Sequence, residues 1–118
     1  MGGIYTTGLY QGSDLRLKKN ISNLGYGLHE IMQLRPVSYQ WREPADGKPN
    51  LGLIAQEVEQ VIPEIVAHGT DEASMMGLNY TALVPVLIKA IQEQNAETVV
   101  LRARIAALEK MLGLEGNQ

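Results

Sequence analysis

Cysteine is absent from the 118 residues, and phenylalanine is absent with it. The first absence removes thiol nucleophiles, disulfides and thiolate metal sites together. The second leaves one tryptophan and five tyrosines as the aromatic stock, so Leu, Ile, Val, Ala and Met must carry the core. Only two histidines occur, His29 and His68, too few for a histidine-rich metal site, and neither HExxH nor EF-hand spacing is present. The sequence accordingly implies no cofactor and no metal. No apolar run approaches the roughly 18 residues that cross a bilayer, and the N-terminus lacks signal-peptide character, so no membrane partner is expected. A net charge of -3 argues against a nucleic-acid partner, because binding a phosphate backbone requires concentrated positive charge.

What is present divides into four stretches. Residues 1–12, MGGIYTTGLYQG, hold four glycines and no helical period. The β-branched and aromatic run Ile4-Tyr5-Thr6-Thr7 favours extension, as at the end of an upstream fibre or β-structured segment. Residues 13–79 read as an α+β core. Ile21, Leu24, Leu28, Ile31 and Leu34 recur at threes and fours, predicting one amphipathic helix from Ile21 to Leu34, capped by Asn20 and ended by Pro36. Gly25 and Gly27 weaken it by roughly 1 kcal/mol each relative to alanine. From Val37 the period changes to two, with Val37, Tyr39 and Trp41 alternating with polar residues. A polar turn follows and apolar character resumes at Leu51–Ile54, predicting two short strands. A short helix from about Ala55 to Val61, bounded by Pro63, precedes a strand pair at Ile65–Ala67 and Met76–Leu78. His68 falls in the turn between them.

Residues 80–112 form the third stretch. Val84, Ile91, Thr98, Ile105 and Leu112 occupy one core position of a heptad, and Leu87, Gln94, Leu101 and Leu108 occupy the other. Asn79 is the expected cap, and Pro85 falls near the start, where a missing donor costs little. A helix of this length spans roughly 50 Å, longer than a domain of this size is wide. Its distal half has no intramolecular partner long enough to cover it, so it should pair with identical copies. β-branched residues at the first position with leucine at the second lean towards two strands. The polar layers Gln94 and Thr98 are where register should be set. Residues 113–118 read as a flexible tail.

Chemistry is concentrated at Ser13-Asp14-Leu15-Arg16-Leu17-Lys18, where a hydroxyl and a possible base lie close in sequence. A serine hydroxyl reacts only beside a base, and Lys18 is the local candidate. Five residues is a poor contact spacing on a regular helix, but a turn at Ser13 would correct it. The residues leave two readings open: Ser13 as a helix cap beneath a solvated charged face, or Ser13 as a nucleophile. Asp14 either orients a donor or caps the helix.

Several runs occur in the order found in one family. They are Ser13-Asp14-Leu15-Arg16-Leu17-Lys18-Lys19-Asn20-Ile21, Leu34-Arg35-Pro36-Val37-Ser38-Tyr39-Gln40-Trp41, Leu51-Gly52-Leu53-Ile54-Ala55-Gln56-Glu57-Val58-Glu59, Pro63-Glu64-Ile65-Val66, Asn79-Tyr80 and Ala90-Ile91-Gln92-Glu93. Over residues 13 to 112 the chain resembles the S74 peptidase family, the C-terminal intramolecular chaperone domains of phage tail spikes, tail fibres and endosialidases. The resemblance implies a homotrimer, and so revises the strand count of the coiled coil from two to three. It implies that the domain registers the upstream fibre or spike segment of its own polypeptide, then cuts itself off at Gly12-Ser13. Ser13 would be the nucleophile and Lys18 the general base. Asp14 and Arg16 match motif positions, with roles in carboxylate orientation and charge tuning. Host cytoplasm during assembly and the virion tail for the parent protein follow from the same likeness. A trimeric cap or receptor-facing tip that never cleaves is the alternative from another class.

Overall fold

The structure is a computed structural model that describes residues 10–114. The strand expected over Ile4–Thr7 and most of the tail expected over 113–118 lie outside the described residues. Short helices and two-stranded hairpins precede one long helix, an α+β arrangement.

The helix expected over Ile21–Leu34 shrinks to a single turn, α1 (Leu28–Ile31). Gly25 and Gly27 disfavour helix just before it, and other groups claim the backbone there. Leu24 O accepts from Lys89 Nζ at 3.1 Å, and Leu28 N donates to Glu93 Oε1 at 2.7 Å. Asn20 is not a helix cap. It adopts φ 55°, a left-handed turn that asparagine tolerates better than most residues. Gly27 precedes α1 instead, with its N–H held by Glu30 Oε1 at 2.8 Å.

Strand β1 (Val37–Tyr39) pairs antiparallel with β2 (Asn50–Gly52), Ser38 opposite Leu51. Trp41 lies beyond β1 but on the same side as Tyr39, the two rings meeting edge-on with centroids 5.1 Å apart. Helix α2 (Ala55–Glu59) is shorter than its expected span. Pro63 opens a 3-10 turn over Pro63–Ile65, which draws Ile65 into the core and delays the next strand by one residue. That strand, β3 (Val66–His68), pairs antiparallel with β4 (Met76–Leu78). His68 therefore ends a strand rather than lying in the turn, and its ring meets the Glu59 carboxylate.

Asn79 caps a 3-10 turn over Tyr80–Ala82, its side chain accepting from Ala82 N at 3.3 Å, and the turn runs into α3 (Leu83–Leu112). The helix ends at Gly113, where φ 71° suits glycine. Leu114 N reaches Glu109 O at 2.8 Å and Gly113 N reaches Lys110 O at 3.3 Å, satisfying carbonyls that would otherwise be orphaned.

The core gathers Val58, Ile62, Ile65, Leu83 and Val86, with Tyr26, Ile31, Leu53 and Leu78 packed around it. From α3 it takes Leu83 and Val86, and Ala90 is buried on the same stripe. None of these is a heptad core residue. Val84, Leu87 and Ile91 stay 52%, 44% and 68% exposed although they lie beside the domain. Helix α3 thus carries two apolar stripes. A short one fastens it to its own domain, and a long one continues through Leu101, Ile105 and Leu108, which are also more than half exposed. A radius of gyration of 21.0 Å, against about 13 Å for a compact chain near this length, reflects a helix that does not fold back.

Candidate functional site

The segment from Ser13 to Lys18 is shaped by its own polar groups. Asp14 caps a 3-10 turn over Leu15–Leu17, its Oδ1 accepting from Arg16 N at 2.9 Å. Leu17 N bonds Asp14 O at 2.9 Å and Lys18 N bonds Leu15 O at 3.1 Å, which tightens the loop. The cap is therefore Asp14 and not Ser13. Lys18 then leaves the turn in an extended conformation, and its Nζ donates to Ser13 Oγ at 2.7 Å. A spacing that an α-helix would hold apart is closed by the tighter turn.

Asp14 does not engage Lys18. Its carboxylate takes the Arg16 guanidinium in a fork, with Nε to Oδ1 at 3.0 Å and Nη2 to Oδ2 at 2.8 Å. That side-chain bond, with the Arg16 N–H bond second, holds the Asp14 carboxyl below its ordinary range and raises Arg16 above its own. The lysine ammonium is left to the serine alone. Ser13 and Lys18 both stand at the surface of the single chain, and Gly12 is half-buried. Nothing of the domain's own core covers the pair, so water reaches it freely.

Behind this hook, polar contacts fix the frame. Arg35 clasps Glu57 through Nε to Oε1 at 3.1 Å and Nη2 to Oε2 at 2.6 Å, joining the segment before β1 to α2. The hydrogen bond from Arg35 lowers the Glu57 carboxyl from its ordinary value. Tyr26 donates to Glu64 at 2.7 Å, which raises the phenol because ionising it would lose that bond and face a carboxylate. Tyr80 Oη accepts from Leu53 N at 2.9 Å, tying the start of the long helix to the end of β2. Glu93 and Lys89, one turn apart on α3, hold the backbone at Leu28 and Leu24. Sequence reasoning passed over Lys89, and placed Glu93 and Tyr80 only within motifs. Their partners are main-chain groups, which leave no mark in residue type.

The nine heptad residues share the outer stripe of α3, but the two polar ones behave differently. Thr98 Oγ1 donates to Gln94 O at 3.0 Å, so the threonine hydroxyl is used within its own helix. The Gln94 side-chain amide makes no hydrogen bond among the described residues. Among the described residues no group of three or more His, Asp or Glu side chains converges as a metal site would require, and no helix is long and apolar enough to cross a membrane.

The described residues thus present an exposed Ser13–Lys18 contact and a helix with two apolar stripes, one packed on the domain and one left outward. Residues 13–67 match the model of the peptidase S74 family, described as the chaperone of endosialidase. The relatives are phage fibre proteins. The long tail fiber protein Gp37 of Escherichia phage AR1 is 30% identical over 91 residues, covering 72% of this chain and 8% of that protein. The proteins of the same name from Enterobacteria phages M1 and Ox2 are each 32% identical over 100 residues, covering 80% of this chain and 40% of theirs. The chain thus spans well under half the length of these relatives. Family and relatives together support a tail-fibre-associated chaperone role.

Proposed function

We propose that this domain trimerises through α3, aligns three copies of an upstream fibre segment, and then releases itself by cutting between Gly12 and Ser13. The observation that carries the reading is the 2.7 Å contact between Lys18 Nζ and Ser13 Oγ across the 3-10 turn. In the reactive form the lysine is neutral and accepts the hydroxyl proton as Ser13 Oγ attacks the Gly12 carbonyl carbon. Within one chain this is an N-to-O acyl transfer. The Gly12 C to Ser13 Oγ bond forms, the Gly12 C to Ser13 N bond breaks, and the proton passes from Lys18 to the leaving amine. Water activated by the lysine then opens the ester, returning the serine hydroxyl at a new N-terminus.

Glycine before the bond leaves the carbonyl unhindered, and the attack gains its rate from being intramolecular. Exposure of the pair in the single chain suits a reaction that waits for assembly. Covering by neighbouring chains would exclude water and disfavour a charged amine, which is the state a general base must leave. The exposed outer stripe of α3 supports association between copies, because its apolar residues are more than 40% exposed and costly to leave unpaired, and the count of three comes from the family likeness.

The test is expression with a native upstream segment, followed by a denaturing gel. Wild type should give two bands, and Ser13→Ala and Lys18→Met one. If wild type assembles as a trimer yet remains full-length, the protease reading fails and a permanent trimeric cap or receptor-facing tip takes its place.

A further inference from the structure

The apolar seam of α3 explains why copies associate, but it does not explain why they associate level. Ile and Leu recur every seven residues, so a neighbour that slips by one heptad still buries most of the same apolar side chains and displaces only the Gln94 and Thr98 layers. Thr98, one of the two polar seam residues, has its hydroxyl committed to Gln94 O. Gln94 leaves one polar layer within the seam, and the flanking positions supply a second register device. The position just before the Val84-type core residue holds Leu83 and Ala90 where the helix packs on its domain, and both are buried. Beyond the domain the same position holds Glu97 and Arg104. The flanking position on the other side holds Arg102 and Glu109.

None of these four charges appears in an ion pair of its own chain among the described residues. Glu97 and Arg102 are five residues apart, as are Arg104 and Glu109. Five is a wrong spacing within a helix, where partners sit three or four apart. It is the spacing at which these two flanking positions meet across a parallel coiled coil. We propose that Glu97 with Arg102, and Arg104 with Glu109, form a ladder between copies that locks the α3 helices parallel and in axial register. The signs make the register unique. A slip of one heptad in one direction sets Glu97 against Glu109, and in the other sets Arg104 against Arg102. Each slip replaces attraction by repulsion while leaving the apolar seam satisfied.

The occupant of the long outer stripe is thus a second copy of this chain, and the inference rests on the trimer reading above. For a domain that aligns fibre chains, axial register is the property that matters, since a slip of one heptad would offset the upstream strands by roughly 10 Å.

Because the chain has no cysteine, introduced pairs report register directly. A tagged Leu101→Cys chain and an untagged Leu108→Cys chain are mixed, refolded together and oxidised. In register, cross-links join like positions, and the mixed species is scarce. Arg104→Glu in both chains places like charges opposite Glu109 and favours the slipped pairing with Arg102. The mixed cross-link should rise roughly tenfold, and salt near 1 M should blunt the difference. Adding Glu109→Arg should restore the wild-type pattern, and retained helical circular dichroism excludes misfolding as the cause. Wild type that sediments as a monomer overturns the trimer reading and the ladder with it. A wild-type trimer whose mixed cross-link is unmoved by Arg104→Glu overturns the ladder alone.

Discussion

Replacing Gly27 by alanine tests how the long helix is anchored to its domain. The added Cβ would lie 2.1 Å from Glu93 Oε1 and 2.9 Å from Lys89 Cγ, both on α3. Glu93 is flexible, so its carboxylate moves, and what is lost is its 2.7 Å bond to Leu28 N. A hydrogen bond to a charged group contributes about 1.5–3 kcal/mol, with the lower end appropriate to a partly exposed pair. Against that, alanine reduces the freedom of the unfolded chain by about 0.4–1 kcal/mol. The net is a destabilisation of about 1 kcal/mol, or a fall in Tm of roughly 4–8 °C at this size. Urea denaturation of a double-mutant cycle with Glu93→Ala, at one fixed chain concentration, isolates the contact. Once Glu93 is gone, Gly27→Ala should cost clearly less, the remainder being the shift of Lys89 Cγ. Equal costs in both backgrounds would refute the anchoring argument.

Three further outcomes follow from the same geometry. Ile62 is 1% exposed at the centre of the core, so Ile62→Ala should cost about 3 kcal/mol in urea denaturation, and a cost below 1 kcal/mol would mean the site collapses or the core lies elsewhere. Ile105 is 54% exposed in the single chain, so Ile105→Asp should leave the domain's own circular dichroism intact while abolishing association in sedimentation. Unchanged association would remove the seam from the interface. Arg35 holds the Glu57 carboxyl below its ordinary 4.5 in the folded chain, so the pair contributes above the unfolded value and its contribution fades as pH falls through the lowered one. Arg35→Met should therefore shrink the loss of stability on acidification below pH 4.5, and an identical acid limb in both proteins would contradict it.

Periodicity carried most of what could be read without coordinates, because it is a local property. The two hairpins, α2 and the long helix follow from spacings of two, three and four over a few residues, and Asn79 and Pro63 mark boundaries through their own backbone chemistry. The helix expected over Ile21–Leu34 failed for a reason no local pattern holds. The main-chain groups on either side of Gly25 and Gly27 are bonded by Lys89 and Glu93, 65 residues away. Glycine at 27 records that approach only after the partner is known.

The pairing of Ser13 with Lys18 stands between these cases. Residue type named both candidates, but their spacing argued against contact on a regular helix. Asp14 decided the matter by capping a 3-10 turn and by keeping Arg16 for itself. For α3 the sequence alone determined a long heptad-patterned helix, since that pattern lies within one segment. Only the tertiary structure decided which stripe faces inward. Leu83, Val86 and Ala90 meet Val58, Ile62 and their neighbours, and the heptad stripe is left outward because one helix cannot bury two faces in the same small core.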